Sequence, residues 1–276
     1  KLYQGAGKTV CVPGLNCYSC PAASGACPIG AFQAVVGSSK FSFSYYITGF
    51  LILLGVLLGR FICGFLCPFG WFQELLHKIP TKKFSTKKLK PLRYLKYAVL
   101  LVMVFLLPAF LVNDVGMGDP FFCKYLCPQG VMEGAIPLSL ANSGIRSALG
   151  SLFTWKFGVL LAVIVLSVIF YRPFCKWLCP LGAFYALFNR VSLFQIKVDK
   201  SKCVSCGKCA KACKMDVDVT KTPNHTECIR CGMCIRTCPT GAVRFRYGFG
   251  DGKDKTKAAK KPQKIINNNN KEKQNR

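Results

Sequence analysis

Three long apolar runs alternate with short polar stretches along the first two thirds of this chain. Residues 45–62, 92–112 and 153–171 are almost wholly apolar, and each approaches the roughly 20 residues a helix needs to cross about 30 Å of hydrocarbon. The pattern predicts three spanning helices, the second kinked near Pro108, where the ring and the missing N–H disturb a helix. The first carries Gly55-x-x-x-Gly59, which lets helix backbones approach closely. Beyond these runs the periodicity changes. Residues 191–199 read as a short strand leading into a polar module of about 50 residues. The chain after Tyr247 is Gly, Lys and Asn, with an asparagine run at 267–270, a composition that predicts disorder. The predicted architecture is therefore an α-helical membrane domain over 1–190, a soluble domain over 191–247 and a basic tail over 248–276.

Charge gives this pattern an orientation. The formal net charge is +27, and 23 of the 38 Lys and Arg lie from Arg172 onward. Lys78, Lys82, Lys83, Lys87, Lys88, Lys90, Arg93 and Lys96 crowd the stretch between His77 and Tyr97, whereas the opposite loop, 113–152, has only Lys124 and Arg146. Cationic loops stay on the cytoplasmic side. The cysteine-rich segment 1–44 and loop 113–152 are thus expected to face outward, and 78–93 and everything after Arg172 to face the cytoplasm. The expected location is the cell membrane, multi-pass, in contact with lipid. A basic chain can also bind nucleic acid, but the tail after residue 250 lacks the interleaved aromatics that stack on bases, so no nucleic-acid partner is expected.

The 18 cysteines decide the chemistry. Four copies of one unit recur: Cys27-Pro-Ile-Gly-Ala-Phe-Gln, Cys67-Pro-Phe-Gly-Trp-Phe-Gln, Cys127-Pro-Gln-Gly-Val-Met-Glu and Cys179-Pro-Leu-Gly-Ala-Phe-Tyr. In the last three, another cysteine stands four positions earlier, at Cys63, Cys123 and Cys175; the first copy is looser, with Cys11, Cys17 and Cys20 upstream. Each copy reads as cysteines at a helix end, then a proline starting a short amphipathic helix at the interface. The predicted orientation places copies one and three outside and copies two and four inside, an inverted pairing.

Two further runs follow: Cys203-x2-Cys206-x2-Cys209-x3-Cys213 and Cys228-x2-Cys231-x2-Cys234-x3-Cys238-Pro239. In this spacing three cysteines wrap one corner of a [4Fe–4S] cube and the fourth ligates the other cube. Cys203, Cys206, Cys209 and Cys238 are expected to hold one cluster, and Cys213, Cys228, Cys231 and Cys234 the second. Lys214 replaces the proline that usually follows the fourth cysteine; that proline shapes a turn and is no ligand. Zinc sites would leave the eight-cysteine regularity unexplained. The soluble module is thus predicted to be an α+β two-cluster ferredoxin.

The chain now resembles the membrane polyferredoxins of the NapH and NosR type and, more distantly, the CcoG type. The resemblance rests on the C-x3-C-P motifs at Cys63/Cys67, Cys123/Cys127 and Cys175/Cys179 followed by the ferredoxin runs, and covers roughly residues 10–245. The stretch from Asn16 through Cys27-Pro-Ile-Gly looks like a subgroup that usually begins with one more membrane helix, not seen in this sequence, which opens at Lys1. The resemblance implies electron passage between a quinone pool or membrane partner and a redox protein, as in an electron-transfer subunit of a quinol dehydrogenase-type oxidoreductase. Acidic ferredoxins, flavodoxins, or a flavin- or metal-bearing subunit are the partners this suggests. The rival reading is a membrane iron–sulfur sensor, metal reductase or assembly factor.

One C-x3-C pair supplies two thiolates, so a cube needs two pairs. Topology joins Cys63 and Cys67 with Cys175 and Cys179 into an inner cluster, which would make four clusters in all with an outer one. There, Cys123 and Cys127 meet two of the N-terminal cysteines; repeat alignment favours Cys20 and Cys27, with Cys11 or Cys17 as alternative ligands. Glu74 and His77, three apart after Cys67, could take protons from a quinol, but a solvated polar face on an interfacial helix is the better reading. Gly5-Ala-Gly-Lys-Thr9 lacks the earlier glycine of a phosphate loop, Leu2 standing there. No glycine fingerprint of a dinucleotide fold follows a strand.

Overall fold

The computed structural model describes residues 12–15, 17, 27–37, 45–84, 86–111, 118–141, 144 and 150–248. Cys11, Cys20 and all but the first residue of the predicted tail lie outside these residues. The architecture is mostly helical with one small sheet. Helices α1 (Pro28–Val36), α2 (Tyr45–Leu58), α3 (Phe61–Phe65) and α4 (Pro68–His77) come first. Then follow α5 (Leu89–Phe110), a π-type turn of helix α6 (Phe122–Leu126), α7 (Gly130–Leu140) and α8 (Ser151–Ile169). Helices α9 (Pro173–Trp177) and α10 (Pro180–Phe188) lead into strand β1 (Phe194–Val198), α11 (Lys208–Ala212), α12 (Met233–Thr237) and strand β2 (Val243–Tyr247).

Among the described residues, α5, with 22 residues, and α8, with 19, are long and apolar enough to cross a membrane. They match the second and third predicted runs. The first run divides differently: α2 has 14 residues and stops where Gly59 turns to a φ of 55°. A side chain at Gly59 would also press within 2.9 Å of Asn189 and Arg230 atoms. The two glycines of the G-x-x-x-G pattern thus do different jobs. Gly55 lies against the Phe188 ring, which a Cβ would meet at 2.8 Å, while Gly59 ends the helix. In α5 the predicted disturbance at Pro108 takes the form of a widened π stretch, Leu100–Leu106, just ahead of it. This is the adjustment expected where proline withholds an N–H and crowds the preceding turn.

One apolar core joins all the helical repeats. Ile29 and Phe32 of α1, Leu51 of α2, Phe69 of α4, Val104 of α5, Phe174 of α9 and Leu181 of α10 belong to it. The ferredoxin end is tied by β1 and β2, which pair antiparallel from Phe194 with Tyr247 to Val198 with Val243. Ile196 and Val243 pack there with Cys209, Cys228 and Cys234 in a second small core.

Candidate metal centres: four cysteine quartets

The C-x3-C-P motif folds the same way each time. The N–H of the second cysteine bonds to the carbonyl of the residue before the first: Cys67 to Ile62 at 3.1 Å, Cys127 to Phe122 at 2.9 Å and Cys179 to Phe174 at 2.9 Å. Cys27, Cys67 and Cys179 then sit at the N-caps of α1, α4 and α10, each with proline as the first helical residue. Proline suits that position because its absent N–H would have no helical partner. A helix N-terminus favours negative charge, and at α10 the Gly182 N–H reaches the Cys179 sulfur at 3.4 Å.

The thiols gather in four sets. Cys63, Cys67 and Cys175 all lie within electrostatic reach of Cys179, and all four are buried. Cys17, Cys27, Cys123 and Cys127 line one cavity with Leu15 and Lys156. The quartet Cys203, Cys206, Cys209 and Cys238 lines another, and Cys213, Cys228 and Cys231 surround Cys234. Among the described residues no three ligand side chains converge on a point as they would around a single ion. A cube asks for something looser, four sulfurs at four corners, and two of the four sets line a cavity. The N–H groups aimed at sulfur, including Val217 N–H on Cys213 at 3.4 Å, suit thiolates bound to iron better than free thiols. Burial and the neighbouring thiols push Cys234 up to about 12.

The quartets form a row. Gly14 stands so close to Cys67 that a Cβ would lie 3.0 Å from its Cα, and Cys17, three residues on, lies in the other membrane-side quartet. Three extended residues span roughly 11 Å at most. These two quartets are therefore neighbours, much closer than the ~30 Å between the two surfaces of a hydrocarbon core. Next along the row, a Cβ on Gly64, between Cys63 and Cys67, would meet Ile229 O at 2.8 Å. The inner quartet thus abuts the loop holding Cys228 and Cys231. Farther on, Cys238 lies in the cavity of Cys203, Cys206 and Cys209, and Cys213 lies within electrostatic reach of Cys234.

Buried cations clamp this row together. Arg60 and Arg172 each stand three residues before the first cysteine of a pair, and each reaches the other pair: Arg60 to Cys175 O at 3.3 Å, Arg172 to Cys63 O at 2.7 Å. Arg60 also pairs with Glu227 of the ferredoxin at 2.9 Å, and Lys96 pairs with the other oxygen of the same carboxylate. Burial alone would raise the Glu227 carboxyl, but Arg60 and Lys96 outweigh it and hold it at about 2. Lys176 bonds to Asp216 at 3.2 Å and Lys214 O at 3.0 Å, and Asn189 to Cys228 O at 3.0 Å. From the sequence Lys96 counted only as one of the orienting cations, and no docking role was expected of any of these residues. The repeat held a signal for the arginines, since Arg60 and Arg172 occupy equivalent places in copies two and four.

Two glutamines were also missed. Gln33 and Gln73, at the same place in copies one and two, are fully buried beside the membrane-side quartets. Glu74, read from the sequence as a candidate proton acceptor, bonds instead to Arg172 at 2.6 Å. Burial raises this carboxyl, but Arg172 prevails and holds it below the usual carboxylate range. The His77 ring packs edge-on against Tyr171. Of the N-terminal ligand candidates, Cys17 and Cys27 come to the cavity, while Cys20 and Cys11 lie outside the described residues.

Two family models, each described as "4Fe-4S binding domain", match the chain. One covers residues 25–45, 42–87, 96–136 and 152–201, and the other 196–217 and 222–244. An uncharacterized protein of Methanocaldococcus jannaschii is 32% identical over 72% of this chain and 77% of its own length. The putative electron transport protein YccM of Escherichia coli is 28% identical over 62% of this chain and 45% of its own. The regulatory protein NosR of Pseudomonas aeruginosa is 28% identical over 58% of this chain and 21% of its own. No solved structure matches. Repeated C-x3-C-P pairs, ferredoxin spacing and these matches agree: the chain belongs to the 4Fe-4S binding domain family of ferredoxin-type electron-transport proteins.

Proposed function

We propose that this chain is a membrane-embedded electron conductor with four [4Fe–4S] clusters held in a row. Bound clusters supply reversible one-electron storage; the chain supplies their order and spacing. Cys17, Cys27, Cys123 and Cys127 form the first site, and Cys63, Cys67, Cys175 and Cys179 the second. The two ferredoxin quartets complete the row, Cys213, Cys228, Cys231 and Cys234 coming before Cys203, Cys206, Cys209 and Cys238. The observation that carries this reading is contiguity: Gly14 and Leu15 bridge the first two sites, and Gly64 against Ile229 joins the second to the ferredoxin.

The apolar outer faces of α5 and α8 support the membrane assignment. Leu101, Phe110, Trp155, Leu161 and Val165 are exposed there, a surface that suits lipid better than water. At the far end of the row Cys206 is exposed among Lys202, Lys208 and Lys211, which also face out. An acidic redox protein fits that end, steered by charge.

Two measurements test this. Purified chain is expected to carry about sixteen iron and sixteen acid-labile sulfides, four cubes of four, with four centres in an anaerobic redox titration followed by electron paramagnetic resonance. Eight irons would confine the clusters to the ferredoxin. For orientation, an impermeant maleimide added outside intact cells is expected to label Gly150→Cys and spare Lys82→Cys, since both positions are exposed and only the second lies among the cationic residues. The reverse pattern would invert the row across the membrane.

A further inference from the structure

We propose that Gln33 and Gln73 are positioning residues that set the potentials of the two membrane-side centres, each by donating a carboxamide N–H to one cysteine sulfur. The inference rests on the reading that those two quartets hold clusters.

The two residues make the same three contacts in two copies of the repeat. Gln73 Nε2 donates to Cys175 Sγ at 3.2 Å and to Phe69 O at 3.3 Å, while its Oε1 accepts the Phe174 N–H at 3.2 Å. Gln33 Nε2 donates to Cys123 Sγ at 3.6 Å and to Ile29 O at 3.4 Å, while its Oε1 accepts the Phe122 N–H at 3.2 Å. Each glutamine thus leaves the helix of one repeat, fastens the residue before the first cysteine of the facing repeat, and presents an N–H to that cysteine. Both are wholly buried. A buried amide costs free energy unless its donors are used. A neutral thiol is a weak acceptor, whereas a sulfur carrying charge is a strong one. The arrangement suits an iron-bound thiolate.

Only two of the four repeats use this position so. Six residues beyond Cys127 and Cys179 stand Glu133 and Tyr185. Glu133 accepts the Cys17 N–H at 3.0 Å, and Tyr185 donates to Pro13 O at 3.3 Å. There the same repeat position holds the N-terminal segment between the two quartets. The division gives each quartet one glutamine donor and leaves the remaining two copies to thread the chain. The effect on a centre follows from charge. Reduction adds an electron shared with the sulfurs, so an N–H on sulfur stabilises the reduced form more than the oxidised one and raises the potential.

The test is an anaerobic redox titration by electron paramagnetic resonance on the full chain, with iron counted in every sample. In Gln73→Met the reduced-to-oxidised ratio of the inner centre at a fixed potential is expected to fall about tenfold, equivalent to about 59 mV for one electron. The outer centre is expected to move less than twofold. Gln33→Met is expected to do the reverse, with a smaller shift matching its longer contact. Gln73→Glu, which keeps an oxygen for the Phe174 N–H but removes the donor to sulfur, covers the case in which the methionine variant loses iron; a lowered inner potential with iron retained supports the proposal. Full iron with unmoved potentials overturns it, as does an equal shift of both centres, or loss of the inner centre in both Gln73 variants. A wild-type chain with only eight irons would instead remove the underlying reading, a result separable from unmoved potentials at sixteen.

Discussion

Serine at Cys63 and serine at Cys175 are each expected to erase the same spectroscopic centre and to lower the iron content by about four atoms per chain. The two positions are over a hundred residues apart, yet their sulfurs, with those of Cys67 and Cys179, face one buried space. A cube needs all four corners, so either loss empties it. The consequences extend to stability, because a bound cluster cross-links α3 and α4 to α9 and α10. Closing a loop of about a hundred residues stabilises by up to about 4–5 kcal/mol in the case of a disulfide, and a cluster closes the same loop. Both ferredoxin signals are expected to survive, since their eight ligands come from residues 203–238. Electron delivery to the ferredoxin from the first quartet is expected to collapse to background. Two serine variants that abolish different centres, or that keep all their iron, would dissolve the shared site and the row with it.

The second large effect concerns docking. Glu227→Gln is expected to loosen the ferredoxin from the helical domain while leaving both of its clusters bound. Glu227 is 3% exposed, and Arg60 and Lys96, which share its carboxylate, are fully buried. Removing one partner of a buried ion pair leaves an uncompensated charge, with a cost of about 3–5 kcal/mol; here two cations would be stranded. The expected readout is cleavage by added protease in the connection near residues 190–193, releasing an iron-bearing fragment that the wild type retains. Electron exchange between the inner quartet and the ferredoxin is expected to slow as contact between Gly64 and Ile229 opens. Unchanged protease resistance would show that apolar contacts, chiefly Tyr171 with Met215, Val217 and Ile229, suffice to hold the module.

Much of this site was legible in the chain because its information is local. The expected ferredoxin ligand sets follow from spacing: short intervals bring three sulfurs around one corner of a cube, and the fourth cysteine is left for the neighbouring one. The repeat also revealed which cysteines belong to one pair, since four residues of backbone decide that geometry through a single i to i−5 closure. The apolar runs located α5 and α8 for a similarly simple reason, that neither helix has enough polar residues to face water. Gly59 was harder to read. It lies inside the first apolar run, and its role as a breaker depends on the crowding by Arg230 and Asn189 from far along the chain.

The chain by itself determined its cofactor class, its cysteine pairs and the polarity of its segments, because ligand number, spacing and hydropathy act over a few residues. Tertiary structure alone decided what those parts do together. It brought Cys17 to the cavity with Cys27, and set the two quartets of the helical domain side by side where charge bias had suggested opposite faces. It also turned the glutamines of the first two repeats onto sulfur, and used Arg60 and Arg172 to lock each cysteine pair to its partner. These choices depend on which helices pack against which. That packing is settled by an apolar core shared among all the repeats, whose contacts join residues too distant along the chain for any local pattern to record.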